Sequence, residues 1–340
     1  MSQVCDSRSS CVAIIDRHSS LVTCQLSIGE HVCVAVKGGS DRRNCVAERP
    51  LWELGETVSR VEAMGSMSKS DLIEDLRSAY GEVLELCSQL RAEQFLLPTE
   101  CPGWDVKDQI AHLYGTEAQM LGREVPPLRE GVLRPEVRGS IAEKNAAWVE
   151  SMRPHEASVV VEAFRDVVGE RLAQLGEMSE AEFEKVGWTP KGEAPYATFL
   201  AVRIFDIWMH NQDIREATDH LGDLETRSAD RAFDEVRAAL GYVVGKLMGA
   251  PEGTVVRIEL SGGPARAAAT EISVIGGRAQ LTTDRPSERP TVVLRCDFRT
   301  FMRCIGGRWS PLVTLDGGAI TLNGDAALGR GFVSVMDYVP

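Results

Sequence analysis

From residue 68 onward the apolar positions fall into a helical rhythm that the first 66 residues lack. Leu72, Leu76, Val83, Leu84 and Leu90 follow the helical period, and Ser68 with Asp71 three residues later forms a capping-box-like start. Pro98 and the Pro102-Gly103 pair then mark a loop. Asp105 reads as an N-cap, with Val106, Ile110, Leu113 and Leu121 on the apolar face of a second helix. A third is predicted over 155–177 from Val160, Phe164, Val167, Val168, Leu172 and Leu175, and a fourth follows Pro195. Four helices with longer connections predict a bundle. A further helix, RAFDEVRAALGYVVGKLMG, precedes a change of texture at Pro251. Beyond it TVVRIEL, TEISVI, AQLTT and TVVLRC read as short strands between Gly, Pro and Asp signals. A short helix (DFRTFMRCIGG), a strand (AITLNGD) and a last helix (AALGRGFVSVM) complete an α+β pattern. The expectation is therefore a helical unit over residues 67–250 followed by a smaller α+β unit over 251–340.

The fourth helix breaks the simple amphipathic pattern. In RIFDIWMHNQDIREAT, residues 203–218, Arg203, Asp206, His210 and Asp213 fall three and four apart and so share one face, surrounded by Ile204, Phe205, Ile207, Trp208 and Met209. Such a stripe is either a solvated face or a line of polar groups turned inward for a chemical reason.

Composition narrows the partners. A formal charge of −13 and a pI near 5.1 argue against a nucleic-acid backbone or an anionic membrane, both of which need a basic footprint. A small molecule or a protein fits better. No run approaches the roughly 18 apolar residues of a membrane span, and a compact signal-peptide core is missing, so a cytoplasmic location is expected. Cys5, Cys11, Cys24, Cys33 and Cys45 crowd the N-terminus, while Cys87, Cys101, Cys296 and Cys304 are scattered. No C-x-x-C pair occurs, and the later four read as reduced thiols. Residues 1–66 are rich in Ser, Arg and Cys with only a weak strand-like alternation. They read as a disordered extension or as sequence upstream of a natural start at Met64 or Met67. A metal module built on His18 and His31 is the alternative, but its spacing matches no ligand rule.

His112 on the second helix, with Asp206 and His210 at i and i+4 on the fourth, would form a metal site if the two helices face each other inside the bundle. Two imidazoles and a carboxylate suit Zn²⁺ or a similar divalent ion and leave coordination positions open, as catalytic sites do. From spacing alone, an ordinary surface Asp–His pair and an unrelated packed or exposed His is the commoner description. Cys101 reads as an inert buried thiol rather than a reactive one, and Pro102, Gly103 and Trp104 as a turn with an apolar anchor.

The stretch TECPGWDVKDQIAHL, followed about ninety residues later by RIFDIWMHNQDIREA, resembles the mycothiol-dependent maleylpyruvate isomerase family, part of the DinB-like group of metal-binding four-helix bundles. TVVLRCDFRTFMRCIGGRW and ITLNGDAALGRGFV resemble the sterol-carrier-like domain that often follows the bundle. The likeness runs over residues 68–340. It implies an α plus α+β fold, a DinB-like four-helix bundle followed by a smaller α+β sterol-carrier-like domain. It also implies a metal triad falling on His112, Asp206 and His210, with Asp206 standing where the characterised isomerase has the longer Glu. Asp213 and Arg215 match the motif's D-I-R ending and are not read as ligands; Asp213 is expected to hydrogen-bond a ligating His or to cap a neighbouring helix. An arginine from the C-terminal part should reach the site, with Arg257, Arg266, Arg278 and Arg295 as candidates. The activity implied is isomerisation or S-transfer on a small electrophilic substrate, with a divalent metal, zinc by preference, and mycothiol as thiol cosubstrate. Two other classes are kept: a non-catalytic metal- or lipid-binding module, and a metal-dependent hydrolase acting through a bound water.

Overall fold

The structure, a computed structural model, describes residues 68–128, 141–282 and 286–338, and the backbone of two short ladders near the N-terminus, β1 (Val12–Ala13) with β2 (Cys24–Gln25) and β3 (Ser27–Ile28) with β4 (His31–Val32). The expectations for His18, the side chain of His31 and a start at Met64 or Met67 lie outside the described residues.

Helix α1 (Lys69–Gln89) begins where its cap predicts, with the Ser68 hydroxyl accepting the Asp71 N–H at 3.1 Å. A 3₁₀ turn (Ala92–Leu96) leads into the C-P-G-W loop. There the Thr99 N–H donates to the Trp104 carbonyl at 3.0 Å, and Gly103 takes a left-handed φ of +80°. Helix α2 (Val106–Met120) is capped reciprocally: the Asp108 N–H donates to the Asp105 carboxylate at 2.8 Å and the Asp105 N–H to Asp108 at 3.2 Å. The next helix, α3 (Ile141–Met152), is not anticipated by the sequence pattern. It lays Trp148 on Gly115 of α2, where even a Cβ would stand 2.3 Å from the Trp148 Cβ. Then come α4 (Ala157–Glu177), the single turn α5 (Glu180–Phe183), the hairpin β5 (Val186–Thr189) and β6 (Gly192–Pro195), and α6 (Tyr196–Thr218).

Helices α1, α2, α4 and α6 enclose one core, with Leu76, Val83, Ile110, Phe164 and Ile204 among its fully buried members. Helix α7 (Arg227–Tyr242), extended by a π turn through Leu247, packs on α6 and α1 and also on the sheet. That sheet is built from β7 (Val255–Ser261), β8 (Ala269–Ile275), β9 (Arg278–Leu281), β10 (Val292–Asp297) and β11 (Thr321–Gly324) in the order β11-β10-β7-β8-β9. All neighbours are antiparallel except β10 and β7, which run parallel and are joined through the β8–β9 excursion. Helices α8 (Phe298–Ile305), α9 (Pro311–Asp316) and α10 (Ala326–Val333) complete the chain. The result is a helical region followed by a small mixed-sheet region. The two regions share α6. Phe199, Leu200, Ile204 and Ile207 point into the bundle core, while Phe205, Trp208 and Met209 join Phe233, Leu240, Ile258 and Phe301 in a second core against the sheet.

Because α6 is walled in on both sides, its polar groups need partners in the protein. Arg203 donates to Glu117 of α2 at 2.8 and 3.1 Å, and Arg171 of α4 reaches the other Glu117 oxygen at 3.2 Å. All three side chains are buried, and Arg171 also bonds the Tyr196 hydroxyl. Removing the carboxylate at the hub would leave the buried Arg171 with no carboxylate partner and Arg203 with Asp206 alone. Glu117→Ala is expected to lower unfolding free energy by about 3–5 kcal/mol. Glu162→Ala, which breaks an exposed pair with Arg165, should change it by less than about 1 kcal/mol. Urea unfolding of the two variants checks the contrast.

Candidate metal centre

His112 projects from the middle of α2, and Asp206 and His210 project from α6 one turn apart. Their ligand-capable atoms all lie within 4.8 Å of one another. The two imidazole Nε2 atoms face one carboxylate: His112 Nε2 stands 3.4 Å from Asp206 Oδ2, and His210 Nε2 stands 3.5 Å from Asp206 Oδ1. The rings are edge to face with centroids 4.6 Å apart. Both histidines are buried, and Asp206 is the member open to the adjoining space.

Electrostatics follow from that burial. Desolvation favours the neutral acid at Asp206, but the Arg203 guanidinium and the His210 imidazole outweigh it and hold the carboxyl well below the usual range. Burial also works against a charged His210, yet the facing Asp206 carboxylate lifts it well above the ordinary imidazole value. His112 is pushed down by burial, which its bond to Asp206 only partly offsets. On the far side of His210, Nδ1 donates to Asp213 at 3.2 Å, which leaves Nε2 as the atom turned toward Asp206.

Asp213 is fully buried and heavily paired. Arg308 donates to it at 2.9 and 3.2 Å and Arg303 at 2.7 Å, while the Cys101 thiol donates at 3.3 Å. Cys101, His210 and Asp213 thus form a second close cluster that shares His210 with the first. The C-P-G-W loop is fastened to the same region, because Glu100 takes bonds from Arg303 and from the Trp309 indole. Cysteine 101 therefore differs from expectation. It is half-buried beside Arg308, whose Nη2 lies 3.3 Å from the sulfur, and it faces a cavity. Trp104 is more than an anchor too, since its ring centroid stands 5.2 Å from that of His112 and 6.1 Å from that of His210 and it lines the first cavity.

Two cavities adjoin the triad. The first, about 550 Å³, lies between the C-P-G-W loop, α3, α6 and the turn after α8, and carries Cys101, Trp104, Met209 and Arg308. Gly306 belongs to its wall, and a Cβ there would meet the Met209 methyl at 2.3 Å. The second, about 480 Å³, opens toward the β5–β6 hairpin. His112, Asn145 and Asp206 line both.

The arginine in the first cavity is not among the four expected from the sequence. Arg257 pairs with Glu271 at 2.7 Å, Arg295 with Glu259 at 2.6 Å and Arg266 with Asp234 at 2.5 Å, and Arg278 is exposed on β9. Arg308 takes the place instead, brought there by the Gly306-Gly307 turn that ends α8. A basic side chain just after a Gly-Gly helix stop was the signal available. Arg215 also lies away from the triad, bonded to Asp223 and to the His220 carbonyl at 2.8 Å.

A helical bundle holding a buried His–Asp–His cluster, with a small mixed sheet closing one side, is the class of protein these features define. The sequence pattern described as the mycothiol maleylpyruvate isomerase N-terminal domain matches residues 56–215. An uncharacterized protein of Mycobacterium tuberculosis, found in two strains, is 31% identical over 156 residues, covering 46% of this chain and 72% of that protein. The chain belongs to the mycothiol maleylpyruvate isomerase N-terminal domain family. Among solved structures, the crystal structure of the mycothiol-dependent maleylpyruvate isomerase is 18% identical with a TM-score of 0.46, over 76% of this chain and 95% of that one. Among the described residues no helix is long and apolar enough to cross a membrane.

The cavity position of Cys101 has a direct chemical consequence. Burial pushes the Cys87 thiol up to about 12 and raises Cys296 and Cys304 as well. Brief treatment of the native protein with iodoacetamide, followed by peptide mass spectrometry, is expected to label Cys101 and spare these three.

Proposed function

We propose that the protein is a cytoplasmic, metal-dependent enzyme that joins a low-molecular-weight thiol, mycothiol, to a small electrophilic substrate, as an isomerase or an S-transferase. The observation that carries this reading is the convergence of His112 Nε2, His210 Nε2 and the Asp206 carboxylate beside two cavities, His112 and Asp206 lining both and His210 the first. The donor set fits a divalent ion. Two nitrogen donors and one oxygen donor lie within a single ion's reach, His210 is oriented through its other nitrogen, and among the described residues the triad supplies three protein ligands. Zn²⁺ is the ion such a set favours. When bound, the ion would stabilise the thiolate form of the thiol, which supplies a nucleophile for addition and elimination or for displacement.

The chain's own residues have separable tasks. Asp213 holds the His210 ring in one orientation through the Nδ1–H. Arg203 fixes Asp206 and keeps it ionised, while Glu117 keeps Arg203 in place. Arg308, mostly buried but lining the first cavity and oriented by Asp213, presents a planar cation to a substrate carboxylate. Trp104, Phe205 and Met209 supply an apolar lining that limits water near the reacting atoms. Free Cys87, Cys101, Cys296 and Cys304 accord with a reducing compartment.

Protein purified without chelator should carry close to one zinc ion per chain by plasma mass spectrometry, and His112→Ala and His210→Ala should each lose it. Full metal content in both variants would refute the triad. Arg308→Ala should retain the ion and raise the KM for a carboxylate-bearing electrophile roughly tenfold or more. Turnover that persists after small thiols are removed would favour hydrolysis instead.

A further inference from the structure

The second cavity differs in chemistry from the first, and we propose that it is a specificity pocket for the aromatic body of the electrophilic substrate. This inference rests on the thiol-dependent reading given above, and it adds a substrate class: an aryl or benzylic electrophile rather than a compact dicarboxylate.

The cavity is walled by Met120, Trp188, Pro190, Tyr196, Phe199 and Val202. Tyr196 and Phe199 stack nearly parallel, with centroids 5.7 Å apart and planes 12° apart, so one wall is already an aromatic platform. Trp188, which lines the same cavity, leaves 61% of its surface in water. An indole so exposed beside a concave apolar space keeps a large area that a planar apolar ligand would cover.

Both walls are held in advance of any ligand. The Trp188 hairpin turns through Pro190-Lys191 and is pinned by Thr189, which is buried and whose hydroxyl donates to the Gly192 carbonyl at 2.8 Å and accepts the Lys191 N–H at 3.1 Å. The Lys191 side chain bonds Glu235 of α7. On the platform, the Tyr196 hydroxyl is held by Arg171. The hairpin backbone and the platform are thus set in place, leaving the exposed Trp188 indole as the part for a ligand to order.

Charge divides the two cavities. The first offers Arg308 to an anion. In the second, Arg203 is committed to Glu117 and Asp206, and Lys144 is exposed at the rim. Among the described residues a dicarboxylate gains no uncommitted buried cation there, whereas a ring gains contact with three aromatic side chains. Since His112, Asn145 and Asp206 line both cavities, a ring seated in the second places a carbon attached to it beside the triad. The thiol sulfur would then bond that carbon. With a benzyl chloride, the C–S bond forms as the C–Cl bond breaks, chloride leaves with the bonding pair, and the thiol proton passes to solvent.

The test separates the pocket from the thiol chemistry by using two probes on the full chain. The unreactive 4-nitrobenzyl alcohol is titrated calorimetrically, without thiol, into wild type, Trp188→Ala and Val202→Trp, each checked for an unchanged thermal transition. The alcohol should bind wild type, bind Trp188→Ala roughly tenfold more weakly, and fail to bind Val202→Trp, whose larger side chain fills the space. Excess mycothiol should leave its binding to wild type intact. Equal affinity in all three proteins, no binding to wild type, or competitive displacement by mycothiol would each overturn the assignment, the last by giving the cavity to the thiol. The reactive probe is 4-nitrobenzyl chloride with mycothiol. Binding of the alcohol as expected without conjugation would leave the pocket standing and remove the thiol reading. Conjugation at the same rate in wild type and Trp188→Ala would do the reverse.

Discussion

The pairing of buried charge along α6 is the constraint on which the rest of the molecule depends. A helix that serves two cores cannot expose Arg203, Asp206, His210 and Asp213 to bulk water, and leaving them unpaired inside would cost several kcal/mol apiece. Three of them are answered from two neighbouring elements, and His210 is held between Asp206 and Asp213 of its own helix. Glu117 of α2 meets Arg203, His112 of α2 meets Asp206, and Arg303 of α8 and Arg308 of the turn that follows it meet Asp213. The bundle and the sheet region are thus positioned by the same stripe that makes the site. A buried salt bridge adds little net stability compared with a well-packed apolar contact, but it penalises every arrangement in which a partner is displaced. The stripe acts here as a register, setting which residues of α2 and of the α8 turn stand opposite which turns of α6.

That logic separates what was legible in the sequence from what was not. The long helices could be read because their buried faces repeat, and the caps at Ser68 and Asp105 mark their starts. Helix α3 escaped because its buried face is short, resting on Ala147, Trp148, Val149 and Met152, and because its main contact is a tryptophan over a glycine of another helix. The β5–β6 hairpin escaped for a different reason: VGWTPKGEAP has no alternation and reads as punctuation.

At the site, the i, i+4 spacing of Asp206 and His210 was visible, but their inward orientation was not. Burial on both flanks of α6 decides it, and that is a tertiary property. The arrival of His112 depends on α2 facing α6, and that of Arg308 on a turn almost a hundred residues further along the chain. Two of the arginines expected there could have been set aside in retrospect. Arg257 stands directly across from Glu271 in the β7–β8 register, and Arg295 across from Glu259 in β10–β7, so each is neutralised within the sheet.

Sharing one helix between two cores also bears on how the chain folds. The change from helices to strands at Pro251 is not a seam in the packing, since Phe205, Trp208 and Met209 precede it and are buried with Ile258, Leu294 and Phe301, which follow it. With each large apolar side chain worth roughly 1.5–3 kcal/mol when sheltered from water, a nascent chain released before the sheet is made would carry an uncovered hydrophobic stripe on an otherwise finished helix. Such an intermediate is sticky and short of stability. The two regions are therefore expected to reach the native state as one cooperative unit, with the last strands of the sheet closing a surface that the bundle cannot close by itself.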